Sequence, residues 1–269
     1  MAVAQDGSFC GSFSGGCIEA AVIAEAHDVL ASGRGRIVPF GAGSPYIDLK
    51  LPCGGGIDLL FTPRPSRAIL EDALAALAAR KPYAMAIAAT DIRAADHSDF
   101  VLTYFPNLRV IAIGQGDDLT AFVRLACCFG TEVVAIAPAE QIANLGPLAG
   151  AAVAPISSRY ALPHVQIDRW TAIVFLFHDR DWEEFLLPQA LELEAFYHGA
   201  IGSPRTQVAR KQNLVAAGVP PAHLAKLRET VGLIASTRDP ATLALSILAE
   251  LVSEYRQLAP QTASSEAVR

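Results

Sequence analysis

The 269-residue sequence has no apolar stretch suited to a membrane span. Its longest apolar run beside a strand-like segment, Ala84 to Ala89, is far short of the roughly 20 residues a spanning helix needs. No basic, apolar leader opens the chain, so a secretory signal is not expected and the expected compartment is the cytoplasm. Charge is sparse at 18%, and Asp and Glu outnumber Lys and Arg by 27 to 21. The resulting net charge of -6 argues against nucleic acid as a main partner. Cysteine is limited to five positions without metal-finger spacing, which fits free thiols in a reducing compartment. No Ser-His-Asp order, nucleophile elbow or His-Glu-x-x-His motif is present. What the chain does have is hydrophobicity: 52% apolar residues and a mean hydropathy of +0.34 imply large cores and little disorder.

The most informative stretch is Gly11-Ser12-Phe13-Ser14-Gly15-Gly16-Cys17-Ile18-Glu19-Ala20. A Gly/Ser-rich loop runs straight into a helical pattern, Ile18 to Leu30. That puts the Cys17 thiol in the first turn of a helix, where free N–H groups and the positive dipole end favour anions and thiolates. Cys53 lies in a similar setting, Leu51-Pro52-Cys53-Gly54-Gly55-Gly56. The pair reads either as a sulfur-lined pocket or as packed cysteines beside turn glycines. Cys127 and Cys128 fall in a helical run and are expected to pack as small hydrophobes. Cys10 has no motif of its own. Arg34, Arg36 and Arg64 are candidates for phosphate contact, against the plainer reading of solvated surface.

The sequence predicts an α/β protein in two parts. An N-terminal α/β domain with the cysteine loops covers 1–106, a Rossmann-like domain with a doubly wound parallel sheet covers 107–260, and 261–269 is a loose tail. In the first part a helix stops at Gly33, and strands are expected at Arg36–Phe40, Tyr46–Leu51, Ile57–Phe61, Met85–Thr90 and Phe100–Phe105. A helix from Ala68 to Ala79 carries Leu70, Leu74 and Leu77 on one face. In the second part, strands at Leu108–Ile113, Thr131–Ala137, Ala172–Phe177 and Phe196–Ile201 alternate with helices. That alternation implies parallel pairing.

Gly114-x-Gly116 after a strand is the context of a dinucleotide fingerprint, but Leu119 stands where the third glycine belongs. Asp117 and Asp118 fill the helix start and would repel a pyrophosphate. The next strand ends Ala137-Pro138, with no acid for a ribose. NAD(P) binding is therefore not expected. His178-Asp179, just past a strand end, and Gly199-Ala200-Ile201-Gly202-Ser203-Pro204-Arg205, a strand–loop–helix junction, are candidate ligand positions. Their plain readings are a helix cap and a tight turn.

Taken together, the Cys17 loop and Pro52-Cys53-Gly54-Gly55 resemble the paired signatures of the xanthine dehydrogenase accessory proteins, the XdhC/CoxI family. Phe196-Tyr197-His198-Gly199-Ala200-Ile201-Gly202-Ser203, Val231-Gly232-Leu233 and Leu243 to Glu250 resemble the same family's Rossmann-like domain. The likeness runs over roughly 1–257. It implies a non-enzymatic chaperone that binds a molybdopterin-type molybdenum cofactor, protects it during sulfuration and delivers it to a xanthine dehydrogenase or aldehyde oxidase apo-enzyme. A cysteine desulfurase-type sulfur donor is the implied second partner. Ser14, Gly15, Gly16, Cys17, Cys53, Gly54, Gly55, His178, Asp179, Gly202, Ser203 and Arg205 are the expected cofactor contacts, with Cys17 and Cys53 nearest the metal. The family's usual helix and strand ahead of Val3-Ala4 have no counterpart in the sequence. A homodimer completing the sheet or the pocket, with the site between the two domains, is therefore expected. The alternatives are an NAD(P)-dependent oxidoreductase and a thiol enzyme using Cys17.

Overall fold

The computed structural model describes residues 1–13, 15–16, 18–41, 55–88, 92–94, 101–143, 148 and 150–259. The predicted strand at Tyr46–Leu51, the tail 261–269, and Ser14, Cys17, Cys53 and Gly54 lie outside them. The chain divides into two compact units, Met1–Phe105 and Pro106–Pro260.

In the first unit, β1 (Ala2–Val3) pairs antiparallel with β2 (Phe9–Cys10). Helix α1 (Glu19–Ser32) ends where Gly33 turns left-handed at φ 66°, its N–H bonding to the Val29 carbonyl. A Cβ there would carry strain, so glycine stops the helix. Val22, Ala26 and Val29 recur at helical spacing and, with Ile18, form one core with Val38, Phe40, Leu59 and Phe61. The last four belong to the antiparallel pair β3 (Arg36–Gly41) and β4 (Gly56–Phe61). Helix α2 (Arg67–Ala78) follows, then β5 (Tyr83–Ile87), flanked antiparallel by β6 (Ile92–Ala94) and β7 (Val101–Tyr104). The leucine face expected on α2 is not buried: Leu74 is 68% exposed, and the helix buries Ala73 instead. Periodicity marks a stripe, but it does not say whether another element covers it.

The second unit holds a five-stranded parallel sheet in the order β10-β9-β8-β11-β12. In chain order its elements are β8 (Arg109–Gly114), α3 (Gly116–Phe129), β9 (Glu132–Pro138), α4 (Ala139–Ile142), β10 (Ala151–Ile156), β11 (Thr171–Leu176), α5 (Arg180–Leu191), β12 (Tyr197–Ala200), α6 (Pro204–Ala216), α7 (Pro221–Leu224) and α8 (Pro240–Leu258). Central strands β8 and β11 are buried at every position, as strands covered on both faces must be. Their side chains alternate between two cores. Val110, Ala112, Ala172 and Val174 join Leu119, Phe122 and Val123 of α3 and Ile247 and Leu251 of α8. Ile111, Ile113, Ile173 and Phe175 join Leu186, Leu187 and Leu191 of α5 and Leu214 of α6. Each strand thus contributes to both layers with period two.

Several local expectations need correction. Strand β10 and the short helices α4 and α7 lie in stretches where the sequence predicts no element. Cys127 packs at the edge of the α3 core, but Cys128 is exposed, because it sits one residue around the helix on the solvent side.

Candidate functional site

Glu19 organises the loop ahead of α1. Its side chain is buried, and its carboxylate accepts from the Ser12 hydroxyl (2.5 Å), Phe13 N–H (3.1 Å), Gly16 N–H (2.8 Å) and Ile18 N–H (3.2 Å). Ser12 Oγ in turn accepts from Gly15 N–H at 3.0 Å. Gly15 and Gly16 hold positive φ, 70° and 119°, which brings their N–H groups inward. Two of the N–H groups ahead of this helix, those of Gly16 and Ile18, are thus paired within the chain, and the helix start carries no side-chain cap. At Gly16 and Ile18 the chain supplies its own anion, from the first residue of the helix and favourably placed on the dipole. Gly55 is exposed.

The carboxyl ends of the second unit's sheet form the other candidate region. Strand order reverses between β8 and β11, where open α/β sheets hold their ligands. Here the two strand ends crowd together: a Cβ on Gly114 would lie 2.5 Å from the Leu176 carbonyl oxygen. Beyond them, His178 Nε2 sits 2.8 Å from Asp118 Oδ2. The aspartate is 10% exposed and the imidazole 79%. The contact puts a carboxylate in the first turn of α3, where a pyrophosphate would need positive potential. The sequence missed it because the two residues are 60 apart.

Asp179 is the N-cap of α5, accepting from Asp181 N–H at 3.0 Å. Ser203 caps α6, accepting from Thr206 N–H at 3.2 Å. Gly202 is forced, since at φ 153° an added Cβ would lie 2.7 Å from Thr206 Cγ2. Arg205 is exposed in the first turn of α6. Each of these residues thus has a local structural task or faces solvent.

Sequence reading missed the clamp beneath that junction. Arg210, buried on α6, donates to both Glu183 oxygens (2.9 and 3.0 Å) and to the carbonyls of Ala200 (3.2 Å) and Ile201 (2.7 Å). Burial pushes the Glu183 carboxyl above its ordinary range, and Arg210 pulls the other way. The available signal was a pair of opposite charges at core-facing positions of two successive helices.

The three segments that carry the family resemblance in this unit meet at one point. The Tyr197 hydroxyl donates to Glu250 at 2.9 Å, and Gly232 N–H donates to the same Glu250 oxygen. Ser246 Oγ accepts from Ile234 N–H at 2.7 Å. Burial, with Glu250 beside it, pushes the Tyr197 phenol well up. His198, next on the strand and facing the opposite layer, is buried 3.0 Å from the Ala190 carbonyl, and burial lowers its pKa to about 4. Among the described residues, no group of three or more His, Cys, Asp or Glu is placed to hold a metal ion.

A parallel sheet of this order, covered by helices on both faces, defines a Rossmann-type α/β unit. Residues 110–251 match the family described as the XdhC Rossmann domain, and residues 1–41 match the XdhC and CoxI family. The molybdenum cofactor insertion chaperone PaoD of Escherichia coli (strain K12) is 35% identical over 263 residues, covering 94% of this chain and 76% of that protein. A crystal structure described as a xanthine dehydrogenase from Bacillus halodurans shares the fold, with a TM-score of 0.73 at 23% identity, covering 98% of this chain and 87% of that chain. The chain belongs to the XdhC/CoxI family.

Proposed function

We propose that this protein is a molybdenum cofactor chaperone, an accessory protein and not an enzyme, that holds the cofactor and assists its insertion into an apo-enzyme. The observation that carries this reading is the 35% identity to PaoD across 94% of the chain. The carboxylate of Asp118 at the start of α3, 2.8 Å from His178, supports it by disfavouring a pyrophosphate there and with it the nicotinamide alternative. On this reading Cys17 and Cys53 supply soft donors to the metal–sulfur centre. The described part of the loop offers a phosphate little, because Gly16 and Ile18 N–H are already bonded to Glu19. His178, Asp179, Gly202, Ser203 and Arg205 stand as secondary contacts. We further propose that sulfuration draws on a cysteine desulfurase-type donor, that the client is of xanthine dehydrogenase or aldehyde oxidase type, and that the working form is a cytoplasmic homodimer.

The test is to purify the protein from a molybdopterin-producing host and measure molybdenum and pterin per chain. Wild type should retain both. Cys17→Ala and Cys53→Ala should lose them while melting as wild type does, since removing a loop thiol costs little stability. Equal cofactor content in all three proteins would refute the thiol assignment, and none in wild type would refute the chaperone reading. Light scattering tests the dimer.

A further inference from the structure

A cavity of about 230 Å³ opens within the first unit. Val22, Ala26 and Val29 of α1, Leu59 and Phe61 of β4, and Phe13 from the loop before α1 form much of its wall. Among the described residues lining it, Arg64 is the one charged side chain. Thr62, also on the wall, has its hydroxyl engaged with the Ala88 carbonyl at 2.5 Å.

Arg64 is unusual in two ways. It holds φ 50°, in the left-handed region, although it stands between Pro63 and Pro65. A residue before proline is pushed towards extended backbone, so this conformation is strained, and such strain gathers at binding sites. Its guanidinium also forms no hydrogen bond or ion pair with any described residue. Arg36, by contrast, is tied to Glu25 and lies 3.7 Å from Asp28. An apolar hollow whose lining includes Arg64, exposed and without a partner among the described residues, complements a ligand with an apolar body and a single anionic end.

We propose that this cavity binds a small organic anion: a flat or branched apolar body among the α1 and β4 side chains, with its carboxylate, sulfonate or phosphate on Arg64. The site goes beyond the cofactor reading and does not rest on it. A pterin presents polar edges all round, and a wall made mostly of Val, Ala, Leu and Phe side chains suits those edges poorly.

The experiment is calorimetric titration of the full chain with indole-3-acetate and with its uncharged analogue indole-3-acetamide. The acid should bind about fivefold tighter than the amide, as one charge-assisted contact near the surface provides, and the gap should narrow at high salt. Arg64→Gly removes the charge and relieves the left-handed strain, so it should fold at least as well and bind acid and amide alike. Ala26→Phe fills the hollow and should weaken both. Failure of the wild type to bind the acid, equal binding of acid and amide, or a preference that survives in Arg64→Gly would overturn the proposal.

Discussion

Tyr197 and Glu250 lie 53 residues apart and share a hydrogen bond of 2.9 Å, and the same carboxylate oxygen accepts Gly232 N–H. One carboxylate therefore joins the end strand of the sheet, the segment after α7 and the last helix. Glu250→Ala leaves a buried phenol and a backbone donor unpaired, so a loss of about 2–4 kcal/mol is expected. Tyr197→Phe should cost about 1 kcal/mol. Urea midpoints of the two single variants and the double variant test the coupling. A purely additive cycle would show that the cluster does not act as a unit.

His198 makes the fold acid-sensitive. Its folded pKa, about 4, lies below the ordinary 6.5, so the unfolded chain binds more protons between those values. The stabilising effect of the neutral imidazole is complete above about pH 6.5 and lost as pH falls through 4. The loss amounts to about 3 kcal/mol. Denaturation midpoints from pH 7 to 4 should fall in wild type and fall less in His198→Gln. Parallel curves would remove His198 as the cause.

Arg210 and Glu183 form a buried pair whose members cannot be removed singly without cost. Arg210→Met is expected to destabilise by about 3 kcal/mol, because it leaves the Glu183 carboxylate and the Ile201 carbonyl without their donor, while Ala200 keeps Gln207. The double change Arg210→Met with Glu183→Leu should recover much of that loss, since apolar replacement of a buried pair is often neutral. Thermal melts of the three proteins decide it.

The thiols of α3 should react unequally. Cys128 is exposed, whereas Cys127 is half-buried and burial pushes its thiol pKa up. Brief iodoacetamide treatment at pH 8, read by peptide mass spectrometry, should label Cys10 and Cys128 well before Cys127. Faster labelling of Cys127 would contradict the packing described.

Strands β8 and β11 were legible because full burial on both faces demands unbroken apolar runs, and α8 because Asp239-Pro240 supplies both cap and first-turn proline. Strand β10 was not, because Ala151-Ala152-Val153-Ala154-Pro155-Ile156 has weak strand propensity and is held by its pairing with β9. The leucine stripe of α2 gave the helix but not its burial. Within the candidate site, the Cys17 loop announced itself by its glycines. The role of Glu19 did not, since an acid in the first helical turn reads equally well as a dipole companion. The His178–Asp118 contact and the Arg210 clamp depend on tertiary neighbours that no local spacing encodes.

The carboxylate of Glu19 has a bearing on turnover. The N–H groups of Gly16 and Ile18 find their acceptor within the chain and need no ligand to pair with. A ligand docking there gains nothing from those donors and leaves none of them unpaired on departure. On the proposed chaperone reading, a cofactor held here would draw its binding strength from contacts other than those two donors. A carrier that has to pass its cargo to another protein is better served by that arrangement than a storage protein would be.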